Sequence, residues 1–61
     1  MNRKQFIQEL IRNGCYLKRS GGKHDMYANS RTGKAAPVPR HSEIKDSLCR
    51  LIRRQLDIDE H

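Results

Sequence analysis

The chain has no tryptophan, one phenylalanine and two tyrosines among its 61 residues. So few aromatics leave the core to aliphatic side chains, and at this length folding buries only about 60% of the surface that the unfolded chain exposes. One small domain of modest stability is therefore expected over residues 1–61. No apolar run approaches the roughly 20 residues of a membrane-spanning helix, and the N-terminal stretch lacks the apolar segment of a signal peptide. A cytoplasmic protein without membrane contact is the expectation. Cysteine is scarce too: Cys15 and Cys49 form no CxxC and no Cys/His pair with metal-ligand spacing, which argues against zinc and iron–sulfur centres. Two reduced, partly buried thiols are the plainer reading, and neither a metal nor a cofactor is anticipated. Acidic residues are outnumbered by thirteen Lys and Arg to seven Asp and Glu, for a formal charge of +6. That surplus favours nucleic acid or an acidic protein as partner.

What is present reads as two amphipathic helices around a short meander. From Asn2 to Asn13, Phe6, Ile7, Leu10 and Ile11 recur at helical spacing, and Gly14 stands where a helix wants a residue of positive φ after its end. Cys15 to Ser20 reads as a strand, Gly21-Gly22 as a hairpin turn through φ > 0, and Lys23 to Asn29 as the return strand. Arg31-Thr32-Gly33-Lys34 makes a second turn. Ala35, Ala36 and Val38 suggest a third strand, confined to an edge by Pro37 and Pro39, which cannot donate ladder hydrogen bonds. Ser42 is a suitable N-cap for a second helix, with Glu43 in its first turn and Ile44, Leu48, Leu51, Ile52 and Leu56 as its apolar stripe. Asp46, Ser47, Arg50, Arg53 and Arg54 fall opposite that stripe, and Asp57 to His61 forms an acidic tail expected to fray. The order α-β-β-β-α predicts an α+β fold of two layers. Both helices cover one face of a three-stranded antiparallel sheet, packing on Leu17 among others, and the second face stays open.

The residue with most chemical promise is His24, next to the glycine turn and flanked by Lys18, Arg19 and Lys23. Imidazole ordinarily titrates near pH 6.5, so it can accept or donate a proton at neutral pH. On position alone the plainer reading of His24 is a turn-flanking surface histidine without a role. Alternation groups it with Met26 and Ala28, against Lys23, Asp25 and Tyr27. If Met26 enters the core, His24 lies at the rim of the core side; if Tyr27 does, His24 is on the open face. His41 precedes the expected Ser42 cap and reads as a packing or hydrogen-bonding residue there. Ser20, His24 and Asp25 lack the strand–turn–helix setting of a nucleophile elbow.

A basic cleft with one histidine fits cleavage of RNA by its own 2′-hydroxyl. His24 would move a proton at that hydroxyl or at the leaving oxygen, while cations and the backbone N–H groups of Gly22 and Lys23 steady the developing charge. DNA lacks the hydroxyl and would not be cut. Lys18, Arg19, Arg50 and Arg53 would contact phosphates, which position nucleic acid without reading its sequence. A non-catalytic RNA-binding module and a basic protein-interaction domain are the rival readings.

With its segments in this order, the chain resembles the HicA family of bacterial toxins, small mRNA interferases with a double-stranded-RNA-binding-domain-like fold. The resemblance rests on the helix ending at Asn13-Gly14, on Gly21-Gly22-Lys23-His24, and on Val38-Pro39-Arg40-His41-Ser42-Glu43-Ile44 leading into Leu48-Cys49-Arg50-Leu51-Ile52-Arg53-Arg54-Gln55-Leu56. It implies that His24 is the catalytic residue and that Gly22 is the turn glycine before it. Where relatives often carry Gly-Ser-His, this chain has Gly-Lys-His. The resemblance further implies mRNA as substrate and a cognate HicB antitoxin that covers the active site, with promoter DNA reached only through their complex.

Overall fold

The computed structural model describes residues 1–58; the expectations for an acidic tail at Asp59 and Glu60 and for a terminal His61 lie outside the described residues. Helix α1 spans Arg3–Arg12, strands β1, β2 and β3 span Cys15–Ser20, His24–Asn29 and Ala35–Pro39, and helix α2 spans Asp46–Gln55. The strands form one antiparallel sheet in the order β1-β2-β3. This is the α+β arrangement expected. No described helix is long and apolar enough to cross a membrane.

Helix α1 starts where Asn2 caps it, its Oδ1 accepting from the Gln5 N–H at 3.2 Å. It ends at Asn13, and Gly14 follows with φ +85°, the left-handed conformation that turns a chain out of a helix at least cost in glycine. The second helix departs from expectation at both ends. Its cap is Lys45, which makes no side-chain cap bond, and not Ser42. The Ser42 segment is drawn into an antiparallel bridge instead: Asn2 pairs with Glu43, the Arg3 N–H donates to the Ser42 carbonyl at 2.9 Å, and the Ile44 N–H donates to the Met1 carbonyl at 2.8 Å. Ile44 is thereby buried ahead of the helix rather than on it.

At the far end, the expected fraying from Asp57 is replaced by a closed motif. Asp57 adopts φ 60°, its N–H donates to the Arg54 carbonyl, and the Ile58 N–H donates to the Arg53 carbonyl at 3.0 Å. These are the paired bonds of a Schellman ending. Ile58 joins the core.

That core gathers Phe6 and Leu10 from α1, Cys15, Tyr27, Ala36 and Val38 from the sheet, Ile44, and Cys49, Ile52, Leu56 and Ile58 from α2 and its ending. Both helices therefore share one sheet face, marked by Tyr27 and its cross-strand partner Ala36. Three expected core residues lie outside it. Leu17 is 48% exposed, Leu51 46% and Ile11 57%. Leu17 pairs with Tyr27, but β1 is an edge strand exposed from Tyr16 to Ser20, so Leu17 lies beyond the helices' cover.

Two polar ties brace the layers. Asn29 is fully buried, its Nδ2 donating to the Leu56 carbonyl and its Oδ1 accepting from the Arg31 N–H, both at 2.8 Å. It joins the end of β2 to the end of α2 with its amide satisfied at both atoms. Between the helices, Arg53 meets Glu9 through Nε–Oε2 at 2.6 Å and Nη2–Oε1 at 3.0 Å, and its guanidinium stands 5.4 Å from the Phe6 ring centre.

Candidate active site

The question of which face carries His24 is settled by register. Tyr27 enters the core, so the alternate residues His24, Met26 and Ala28 belong to the face away from the helices. Arg19 pairs with Met26 and Tyr16 with Ala28, placing both on that face as well. The imidazole of His24 is exposed and has no side-chain hydrogen-bond partner among the described residues.

The glycine turn holds His24 in a way the sequence did not suggest. Among the described residues, only Gly14, Gly33 and Asp57 have positive φ, so neither Gly21 nor Gly22 is needed for a left-handed turn. Gly21 is needed for space. Its N–H donates to the His24 carbonyl at 2.9 Å, and a Cβ at Gly21 would collide with that same oxygen. Nothing lies within 4 Å of a Cβ placed on Gly22.

A shallow depression of about 300 Å³ is lined by Gly22, Lys23, His24, Arg40 and His41. The first three were expected at the site. Arg40 and His41 were not, because sequence distance hides what the sheet does: His24 pairs with Pro39 across β2 and β3, and the next two residues turn back beside the imidazole. A second depression of about 230 Å³ is lined by Lys18, Arg19 and Met26. Met26 shares the His24 face two residues along, so Lys18 and Arg19 extend the basic surface from the histidine along the sheet.

Arg40 is held by Asp25, which accepts from its Nε and Nη2 on Oδ1 at 3.0 and 2.7 Å. The other oxygen of Asp25 accepts from Arg3 Nη2 at 3.0 Å, and Arg3 Nε donates to the Pro39 carbonyl at 2.7 Å. Asp25 thus ties α1 and the end of β3 to the strand that carries His24. The Arg40 hydrogen bonds hold its carboxyl below the ordinary value of 3.8; the charges of Arg40 and Arg3 act in the same sense, against the opposing effect of burial. Two guanidinium groups on one carboxylate leave positive charge beside the depression.

The other residues singled out from the sequence lie apart from this surface. Arg53 does not stand on an exposed face: Glu9 takes two of its nitrogens, and the pair is only a quarter exposed. Arg50 is exposed on α2, in the layer opposite His24, and lines neither depression. Cys15 and Cys49 are both free and buried, with burial raising both thiols. Among the described residues, no three His, Cys, Asp or Glu side chains gather as metal ligands would.

The arrangement presents a proton-transfer group on an open surface, among cations suited to a phosphate. Neither the curated proteins nor the solved structures compared with the chain gave a match. A family model did, the HicA toxin of bacterial toxin–antitoxin systems, over residues 3–58. That span takes in both helices, the whole sheet and every residue of the two depressions, and the chain belongs to the HicA toxin family.

Proposed function

We propose that this chain is the toxin of a type II toxin–antitoxin pair and acts as a metal-independent endoribonuclease on mRNA in the cytoplasm, stopping translation. The observation that carries the reading is the depression in which an exposed, unengaged His24 meets Lys23 and Arg40. The reaction suited to it uses the RNA's own 2′-hydroxyl as nucleophile. His24 serves as general acid or base, and the cations and the N–H groups near Gly22 offset charge building on the phosphate oxygens. Lys18 and Arg19 extend phosphate contact along the same face, giving salt-dependent affinity with little sequence preference.

A HicB-type antitoxin is the partner, covering this face and thereby the active site; promoter DNA is reached only by the complex. A chain of net charge +6 suits an acidic partner, and binding to the folded state would stabilise it by mass action.

The test is labelled RNA incubated with purified protein in EDTA. Cleavage by the wild type, abolished in His24→Ala with RNA affinity retained, is the expected result. RNA that is bound but intact favours the binding module, and absence of salt-dependent RNA binding favours a protein-interaction domain. Undiminished cleavage by His24→Ala overturns the mechanism.

A further inference from the structure

We propose that His41 is the second acid–base group of the site, dividing the two proton transfers of RNA cleavage with His24; this rests on the endoribonuclease reading. The reaction needs two such transfers. The 2′-hydroxyl must lose a proton as its oxygen bonds to phosphorus, and the 5′-oxygen must gain one as the phosphorus–5′-oxygen bond breaks. No water is consumed, and the products are a 2′,3′-cyclic phosphate and a 5′-hydroxyl. The attacking and leaving oxygens sit on opposite sides of the phosphorus, so one imidazole that serves both must move between them, whereas two imidazoles need not.

Three observations favour His41. It lines the same depression as His24, although seventeen positions separate them in the chain. Its imidazole is exposed and has no side-chain hydrogen-bond partner among the described residues, so no structural bond competes with a substrate proton. Its backbone is nonetheless fixed on both sides. Before it, Asp25 holds the Arg40 guanidinium and Arg3 holds the Pro39 carbonyl; after it, the Ser42 carbonyl accepts from the Arg3 N–H at 2.9 Å. A loop anchored at both ends that presents a free side chain is what positioning a proton donor or acceptor requires. Ser42 does not cap α2, whose cap is Lys45, so the duty beside that cap that sequence alone assigned to His41 falls away.

In one cycle, the neutral imidazole takes the 2′-hydroxyl proton and becomes imidazolium, while the protonated imidazole gives its proton to the 5′-oxygen and becomes neutral. Exchange with solvent restores both. Lys23 and Arg40 stay charged throughout and face the phosphate.

The test compares the full-length wild type, His24→Ala and His41→Ala on an oligoribonucleotide spanning a cleavage site mapped with the wild type. The substrate is made with either the natural 5′-oxygen or a 5′-sulfur as leaving atom. Sulfur departs as a thiolate and needs no proton. Each variant is expected to slow cleavage of the oxygen substrate by about 10²–10⁴-fold. One of the two, the one lacking the acid, should regain the wild-type rate on the sulfur substrate while the other does not. Wild-type cleavage by His41→Ala with His24→Ala inactive overturns the shared role and leaves the endoribonuclease reading standing. A loss in His41→Ala that sulfur relieves in neither variant also overturns it, marking His41 as structural. If His24→Ala cleaves normally, the underlying reading falls, and the pairing with it.

Discussion

Glu9 and Arg53 join α1 to α2 with two hydrogen bonds, 2.6 and 3.0 Å, between side chains that are 24% and 26% exposed. Fully exposed ion pairs contribute about 0.2–1 kcal/mol, whereas hydrogen bonds to charged groups contribute about 1.5–3 kcal/mol. A two-point pair with a quarter of its surface in solvent falls between these, at about 1–2 kcal/mol. In a domain of this size 1 kcal/mol moves Tm by about 4–8 °C, so Glu9→Gln should lower Tm by roughly 5–15 °C. Arg53→Met should cost more, because it also removes the guanidinium from the Phe6 ring. Urea unfolding of both single variants and the double variant yields the coupling directly, expected at about 1–2 kcal/mol near neutral pH. The Arg53 hydrogen bonds set Glu9 below its ordinary value of 4.5, with the charges of Arg53 and Arg12 adding and burial opposing. A carboxyl lowered on folding contributes its full stability above 4.5 and loses it as the pH falls through the lower folded value. The coupling should therefore be constant from neutral pH down to about 4.5, decline below that, and vanish only once the pH is under the lower folded value. A coupling within the usual additivity error of about 0.3–0.5 kcal/mol would refute the reasoning and return Arg53 to the exposed surface.

Gly21→Ala should destabilise the chain by about 1–3 kcal/mol and reduce RNA cleavage, because the new methyl displaces the His24 carbonyl. Gly22→Ala, with open space around its Cβ, should stay within about 0.5 kcal/mol by urea unfolding. Lys18→Ala and Arg19→Ala should each reduce the slope of log affinity against log salt by roughly 0.7 on single-stranded RNA, as measured by titration at several ionic strengths. Arg53→Met should change that slope less than either. Asp57→Gly should stabilise the chain by up to about 1 kcal/mol, since glycine removes the penalty of a left-handed backbone at a helix ending that the Ile58 N–H already closes. A lower urea midpoint for that variant would mean that the Asp57 side chain contributes something the backbone bonds do not.

Local signals carried the reading of α1 a long way. Its exit at Gly14 and two of its four apolar positions, Phe6 and Leu10, are properties of neighbouring residues and stand in the structure, whereas Ile11 is exposed and the Asn2 cap was not foreseen. Helix α2 was read less well, because its start depends on partners far away. The Ser42 segment is captured by Met1 to Arg3, a competition that no window around Ser42 contains. The same holds for Arg53, whose charge looked free until Glu9 of the other helix came beside it. His24 was found from its turn, but its face required knowing whether Tyr27 or Met26 enters the core. Arg40 and His41 were missed as site residues because only the β2–β3 register returns them to His24. The one usable local signal was Pro39, which ends β3 just before Arg40 and His41.

The ends left on cleaved RNA bear most directly on the claim that His24 acts by moving protons at an RNA hydroxyl. Fragments made in EDTA by the wild type should carry a 2′,3′-cyclic phosphate and a 5′-hydroxyl, and a substrate with deoxyribose at the cleaved position should remain intact. A 3′-hydroxyl with a 5′-phosphate, or cleavage at the deoxyribose position, would show that water was the nucleophile and would contradict the mechanism.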